Sequence, residues 1–210
     1  MTGNCVNSQI SKESNLHFFE SRAEEWDFDE SPDKIRRLES IFDEIPVTGS
    51  RHVLDIGAGT GILVPILSTR LDANAGLVEL DFSKAMIRQN YRRWKECSDR
   101  IYHITGDTQI LPLQDKSFHF VVCFAVFPHI GEPEKAIDEW KRILLPGGSL
   151  LILHLMGSAC LNRMHRETGD AVARDVLLPA EKLASLLSRH GFKIERQNEA
   201  DDIYLILARK

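Results

Sequence analysis

The sequence predicts an α/β protein built on a doubly wound, mostly parallel sheet of seven strands with an antiparallel final strand. N-terminal helices precede the sheet, and an insertion after strand 5 is expected to form a lid. Three observations carry this. From Arg51 to Leu155 short apolar runs alternate with amphipathic stretches, the pattern of strand–helix repeats in a parallel sheet. The first run, Val53-Leu54-Asp55-Ile56, enters a turn with three glycines, Gly57-Ala58-Gly59-Thr60-Gly61. The last two runs are joined only by Glu199-Ala200-Asp201-Asp202, too short for a crossover, so they pair antiparallel. A chain of 210 residues suffices for one such domain.

Residues 1–15 are polar, lack the apolar core of a leader peptide and read as a flexible terminus. From Leu16 to Phe28 aromatics alternate with acids, and Phe19, Ala23 and Trp26 share one face at helical spacing. That face either packs on the domain or forms a lid over a ligand; periodic aromatics favour packing. Ser31 caps a second helix with Pro32 in its first turn. It places Ile35, Leu38, Ile41, Phe42 and Ile45 on one face and stops before Pro46, and Thr48-Gly49-Ser50 is a loop. Residues 1–50 thus read as a helical lid segment and 51–210 as the main domain.

Within that domain the expected order is strand 52–57, helix 61–71, strand 75–80 and helix 83–96 capped by Ser83. Strand 101–105, loop 106–116, strand 118–124, helix 133–144 and strand 149–155 follow. Residues 156–178 break the rhythm with a long polar insertion containing Asn162, Arg163, His165, Arg166, Arg174 and Asp175. A helix 179–190 capped by Gly191 and strands 192–197 and 203–208 complete the chain.

Net charge is −5, so composition offers no electrostatic reason to expect nucleic acid. No apolar run approaches the roughly 18 residues of a membrane span. The expectation is a cytoplasmic protein without a membrane partner; its oligomeric state is not legible. Cys5, Cys97, Cys123 and Cys160 form no CxxC pair, and Cys123 lies in an apolar run as a core filler.

The glycine turn sits where a doubly wound sheet binds ligands, outside the strand carboxyl ends. Followed by a helix, it suits a carboxylate- or phosphate-bearing ligand. A dinucleotide fingerprint needs G-x-G-x-x-G, but Ile62 stands where the third glycine belongs. A P-loop needs G-K-[ST], which is absent. Asp55 would accept from turn amides or face a ligand ammonium.

Val53–Gly61 resembles motif I of the class I S-adenosylmethionine-dependent methyltransferases, a Rossmann-like family. Further matches follow in order. Leu80–Ile87 resembles the end of the second strand, Gly106–Leu113 the adenine-binding loop, Ser117–Val122 the fourth strand and Leu145–Gly148 the turn before the fifth. The likeness covers Arg51 to Leu155 and is closest to the small-molecule branch that includes ubiquinone and menaquinone biosynthesis enzymes.

The resemblance implies S-adenosylmethionine as cofactor, S-adenosylhomocysteine as product and a small-molecule acceptor. It implies a cofactor site of Asp55, Gly57, Ala58, Gly59, Thr60 and Gly61, then Asp81 for the ribose hydroxyls, Gly106, Asp107 and Thr108 near adenine, and Phe124 at the end of the fourth strand. Phe82 or Met86 could cover an adenine face or pack a helix. Glu79, two before Asp81, is a rival ribose ligand. Structural alternatives are a helix N-terminal charge for Asp81 and a turn-former for Asp107. His119 departs from the Asp common in the family, which implies altered packing there.

Methyl transfer from a sulfonium is an in-line displacement, so the protein aligns the acceptor and excludes water. A base is needed only where the acceptor must lose a proton. Candidates are His129, His154 and His165, each with a hydrogen-bonded structural role as its alternative. These three have no metal-ligand spacing, so no metal is expected. Arg163, Arg166 and Arg174 could meet an acidic acceptor or form a solvated face. Other readings are a cofactor-binding regulator without transferase activity, a nucleotide-linked oxidoreductase, opposed by Ile62, and an RNA or protein methyltransferase, opposed by the acidic charge.

Overall fold

The computed structural model describes residues 3–26, 31–47, 49, 51–72, 74–97, 99–168 and 171–210, with side chains from residue 13 onward. Its seven strands are β1 (His52–Ile56), β2 (Gly76–Asp81), β3 (Ile101–Thr105), β4 (Phe118–Phe124), β5 (Leu144–His154), β6 (Lys193–Ala200) and β7 (Ile203–Arg209). They form one sheet in the order β3-β2-β1-β4-β5-β7-β6. Pairing is parallel from β3 through β5, and β7 runs antiparallel to both its neighbours. The strand order reverses between β1 and β4, which opens a crevice at their carboxyl ends.

The central strands are apolar at nearly every position because both faces are covered. Leu54, Ile56, Val121, Cys123, Leu150 and Ile152 enter one core with Trp140 and Tyr204. Their chain neighbours Val53, Phe120, Val122, Leu151 and Leu153 enter the other. Helix α2 (Pro32–Asp43) buries Leu38 and Phe42 in that second core, and the Ser31 side chain accepts from Lys34 N as an N-cap. Burial pushes the Cys123 thiol up, as for an inert core thiol.

Several expectations change. Helix α1 spans Gly3–Arg22, so the terminus expected to be flexible is helical from Gly3. It ends six residues before Phe28, and Phe28 lies outside the described residues. Thr48 and Ser50 of the expected loop also lie outside them. The helix after the glycine turn is only α3 (Val64–Ser68), because Gly61 takes a φ of +90°, which no right-handed helix admits. The anion-binding helix N-terminus expected behind the turn is therefore not formed.

Helix α4 (Lys84–Trp94) starts at Ser83, whose hydroxyl accepts from Met86 N. Helix α5 (Pro133–Ile143) leads straight into β5, which begins five residues earlier than expected. The 156–178 insertion holds α6 (Ser158–Thr168) and a 3-10 turn at Ala171–Arg174. Arg163, Arg166 and Arg174 are exposed, the solvated face. Helix α7 (Ala180–Arg189) closes with Gly191 at a φ of +83°. The His119 ring lies 6.0 Å from that of His52, and its Nδ1 has no hydrogen-bond partner among the described residues. No described helix is long and apolar enough to cross a membrane.

Candidate active site

The glycine turn is held from three sides. The N–H groups of Gly57 and Ala58 donate to Leu80 O at 2.7 and 3.0 Å, tying the end of β1 to the end of β2. Gly59 N donates to Asp81 Oδ2 at 3.0 Å, and Ser83 N to Oδ1 at 2.8 Å. From α4, Asn90 Nδ2 donates to Gly59 O at 3.3 Å and Trp94 Nε1 to Thr60 O at 3.1 Å. Two of the glycines have opposite surroundings. A Cβ on Gly61 would lie 2.6 Å from the Trp94 ring, so Gly61 faces the protein and lines no cavity. A Cβ on Gly59 would meet nothing closer than Trp26 Nε1 at 3.9 Å.

That space above Gly59 belongs to a cavity of about 490 Å³, a size that suits a small ligand. Its floor is Asp55, Gly57, Ala58, Gly59 and Thr60, with Asp81, Phe82 and Met86 from the end of β2 and α4. Phe124, Ala125, Val126 and His129 wall it after β4, and Ala125 holds a φ of +58°. The opposite side comes from the N-terminal segment: Phe19, Arg22, Glu25 and Trp26, with Lys34 of α2. Phe19 is the centre of this aromatic side, edge-on to Trp26, Phe82 and His129 with centroids 5.4, 5.9 and 5.1 Å away. Phe19 and Trp26 of the expected packing face thus also line the cavity.

A second cavity of about 50 Å³ is lined by Gly106, Asp107, Thr108 and Gln109 and shares Gly57, Phe82, Val126 and His129 with the first. Asp107 Oδ1 accepts from Gln109 N at 2.9 Å, as a turn-former would, yet the residue still lines the cavity. Thr108 Oγ1 accepts from Trp140 Nε1 at 2.7 Å.

Three carboxyl groups cluster beneath the turn. Burial first, then the charges of Glu79 and Asp81, raise Asp55 well above the usual carboxylate range. Burial likewise pushes Glu79 up to about 8 and Asp81 up to about 6, the latter against opposing hydrogen bonds from main-chain N–H groups. A site built this way welcomes positive charge and hydrogen-bond donors. Glu79 itself is excluded from the cavity. It is fully buried two residues back along β2, where Asn90 Nδ2 donates to its Oε2 at 2.9 Å.

Of the three histidines, only His129 lines the cavities. His165 is buried behind it, with ring centroids 5.2 Å apart and Nδ1 held by Asp175 O at 2.8 Å. His154 is 3% exposed at the end of β5, against Tyr204. Burial and the neighbouring His129 and His165 hold its pKa down at about 3, so it stays neutral at ordinary pH. Neither lines either cavity, and no described residue of 156–178 lines them. Asn162 Nδ2 donates to Leu177 O and its Oδ1 accepts from Leu177 N, an amide clamp that holds α6 to the segment before α7. Among the described residues no group of three or more His, Cys, Asp or Glu could hold a metal ion.

Sequence reasoning missed Arg22, Val126 and Lys34 at the cavity, Asn90 and Trp94 beneath the turn, and Asp175 beside His129. Asn90 and Trp94 carried a usable signal: four apart on one helix, they point at the same neighbour.

Residues 54–152 match the family described as a methyltransferase domain. A demethylmenaquinone methyltransferase from Renibacterium salmoninarum is 37% identical over 119 residues, 56% of this chain and 46% of that protein. A ubiquinone/menaquinone biosynthesis C-methyltransferase from Idiomarina loihiensis is 30% identical over 117 residues, 54% of this chain and 47% of that one. The chain thus spans about half the length of these curated relatives. A crystal structure of a SAM-dependent methyltransferase from Aquifex aeolicus superimposes with a TM-score of 0.68 at 19% identity, covering 85% of this chain and 98% of that one.

Proposed function

We propose that the chain, whose residues 54–152 match a methyltransferase domain, is a class I S-adenosylmethionine-dependent enzyme that transfers a methyl group to a flat, largely apolar small-molecule acceptor of the hydroxylated-arene kind. The observation that carries this reading is the pairing of Gly59 with Asp81 at the floor of the 490 Å³ cavity. It leaves a glycine-sized gap above the turn and a carboxylate beside it, the two things a nucleoside needs on this floor.

The residues present fit the cofactor. Space for it lies over Gly59, where a Cβ would intrude. Asp81 supplies acceptors for vicinal hydroxyls. Asp107 and Thr108 line the smaller cavity that suits a purine edge, and the buried carboxyl groups suit its cationic groups. When bound, S-adenosylmethionine supplies an activated methyl group on sulfonium sulfur. The chain's own task is alignment and exclusion of water. Phe19, Trp26 and Phe82 offer the apolar surface against which a planar acceptor would lie. Phe19, Arg22, Glu25, Trp26 and Lys34 serve as a lid, and His165 and Asp175 support the wall at His129 from behind. The relatives named for quinone biosynthesis agree with an aromatic acceptor.

The test is transfer of label from [methyl-14C]S-adenosylmethionine to 1,4-dihydroxynaphthalene. Labelled product from the wild type and none from Asp81→Ala is expected. Tight binding of S-adenosylhomocysteine without transfer to this probe or to any fraction of a metabolite extract would defeat the transferase reading in favour of a cofactor-binding regulator.

A further inference from the structure

Three segments far apart in sequence meet behind the cavity wall. His129, in the 3-10 turn Phe127–His129 after β4, sets Nδ1 2.7 Å from Asp175 Oδ2. The same oxygen accepts from Asn15 Nδ2 of α1 at 2.9 Å. The main-chain carbonyl of Asp175 is held in turn by Nδ1 of His165 on α6 at 2.8 Å. Asp175 is 8% exposed and Asn15 2%, so the arrangement is shielded from water. His129, with a side chain 12% exposed, lines both cavities.

An ionised carboxylate only accepts hydrogen bonds, so Nδ1 of His129 is the nitrogen that carries the proton. The lone pair is left on Nε2. This is the base-and-orienter arrangement of acid–base catalysis: an imidazole at the cavity, fixed in one tautomer by a buried carboxylate. The groups facing His129 from the surrounding elements are Asp175, His165 and His154, with Asn15 and Phe19 from α1.

The geometry points to His129 Nε2 as the proton acceptor of the transfer reaction, Asp175 as its positioning residue, and Asn15 as the contact through which the seating of α1 reaches the base. This rests on the transferase reading and narrows its substrate class to acceptors with an acidic O–H, phenols and enols. The acceptor O–H bond breaks, its electron pair stays with the acceptor, and the proton passes to Nε2. The resulting anion uses an electron pair to bond the methyl carbon, and the pair of the broken carbon–sulfur bond remains on sulfur. Where a ring carbon is the nucleophile, that carbon's proton then returns to oxygen. His129 releases its proton to solvent once product leaves. Aliphatic alcohols, whose O–H is far less acidic, fall outside the class.

The first test needs no activity. In protein labelled with 15N-histidine, with His129 assigned through His129→Gln, the wild type is expected to show protonated Nδ1 and imine-type Nε2. Asp175→Asn is expected to shift His129 toward the Nε2–H tautomer. In the label-transfer assay with 1,4-dihydroxynaphthalene, His129→Gln and Asp175→Asn should each lower kcat about 100-fold, the order that general-base catalysis supplies. Asp175 lines neither cavity, so the S-adenosylhomocysteine affinity of Asp175→Asn should stay within twofold. Asp175→Glu should recover part of the rate, and Asn15→Ala should lower kcat with the same tautomer shift in smaller degree. An Nε2–H tautomer in the wild type, or an Asp175→Asn variant with unchanged tautomer and kcat, overturns the pair. Absence of S-adenosylhomocysteine binding by the wild type overturns the transferase reading instead, and the two failures are separable because the tautomer is read without cofactor.

Discussion

The main-chain N–H of Gly59 donates to Oδ2 of Asp81 at 3.0 Å, across 22 residues of sequence. One carboxylate therefore shapes the turn after β1, receives the N–H of Ser83 at the start of α4, and faces the cavity. Scaffold and cavity lining are the same residue, so its substitution is expected to be felt in both.

Asp81 titrates at about 6 because burial disfavours its charge. Hydroxyl donors of the cofactor favour the charged form, so affinity for S-adenosylhomocysteine should hold above pH 6 and weaken as pH falls through 6. Asp81→Asn should lose about 10- to 100-fold at neutral pH, the value of one hydrogen bond to a charged group, and lose the pH dependence. Calorimetric titration at pH 5, 6 and 7.5 checks both; equal affinity in wild type and variant refutes the ribose assignment.

Glu79 is raised by burial from 4.5 to about 8. The folded chain thus holds this proton more tightly than the unfolded one. The group's contribution to stability is full below about pH 4.5 and is lost as pH rises through 8. Glu79→Gln keeps an acceptor for Asn90 Nδ2 and removes the charge. The variant should therefore match the wild type near pH 4.5 and exceed it at pH 8.5, by on the order of 1 to a few kcal/mol. Thermal melts across this range decide it, and parallel Tm curves would count against the buried proton.

Gly61 and Gly59 should respond differently to alanine. At Gly61 a φ of +90° combines with a Cβ 2.6 Å from the Trp94 ring. Its substitution should cost about 3 kcal/mol, roughly 6–12 °C in Tm for a chain this size. At Gly59 the φ is +54° and the nearest atom is 3.9 Å away. Only the left-handed penalty of about 1–2 kcal/mol applies to folding, while S-adenosylhomocysteine affinity should drop more than tenfold. Calorimetry for stability and for binding separates the two; a larger binding loss at Gly61 would reverse the assignment.

Phe19 touches Trp26, Phe82 and His129 with its ring edge. Phe19→Ala should raise KM for 1,4-dihydroxynaphthalene about tenfold, given the roughly 1.5–3 kcal/mol of a buried aromatic face, with a smaller change in cofactor affinity. Steady-state kinetics checks this. An unchanged KM with weakened cofactor binding would make Phe19 part of the cofactor site instead.

The central strands were legible because both faces of the sheet are covered there, so β1, β4 and β5 read as largely apolar runs, whereas β6 is exposed along nearly its whole length; β3 and β4 match their expected limits at both ends. Ser31 and Ser83 were legible as caps because capping is a contact over three residues. The floor of the site was legible for a similar reason, as a turn and two strand ends of recognisable composition. Spacing misled at Glu79, which shares a strand side with Asp81 but lies deeper, under Asn90. It misled again at Gly61, where a glycine of the motif serves packing against α4 and not the cavity.

By itself the sequence determined the parallel sheet and the glycine turn between β1 and α3, because hydrophobic periodicity and glycine spacing act over a few residues. Only the tertiary structure decided which histidine reaches the cavity. His129 is brought to it by the end of β4, while His154 and His165 are packed behind. Asp175 reaches His129 from 46 residues away, and Asn15 reaches Asp175 from 160. No local pattern encodes such distances; they exist because α1 packs against α4 and the 3-10 turn Ala171–Arg174, which brings these polar groups together.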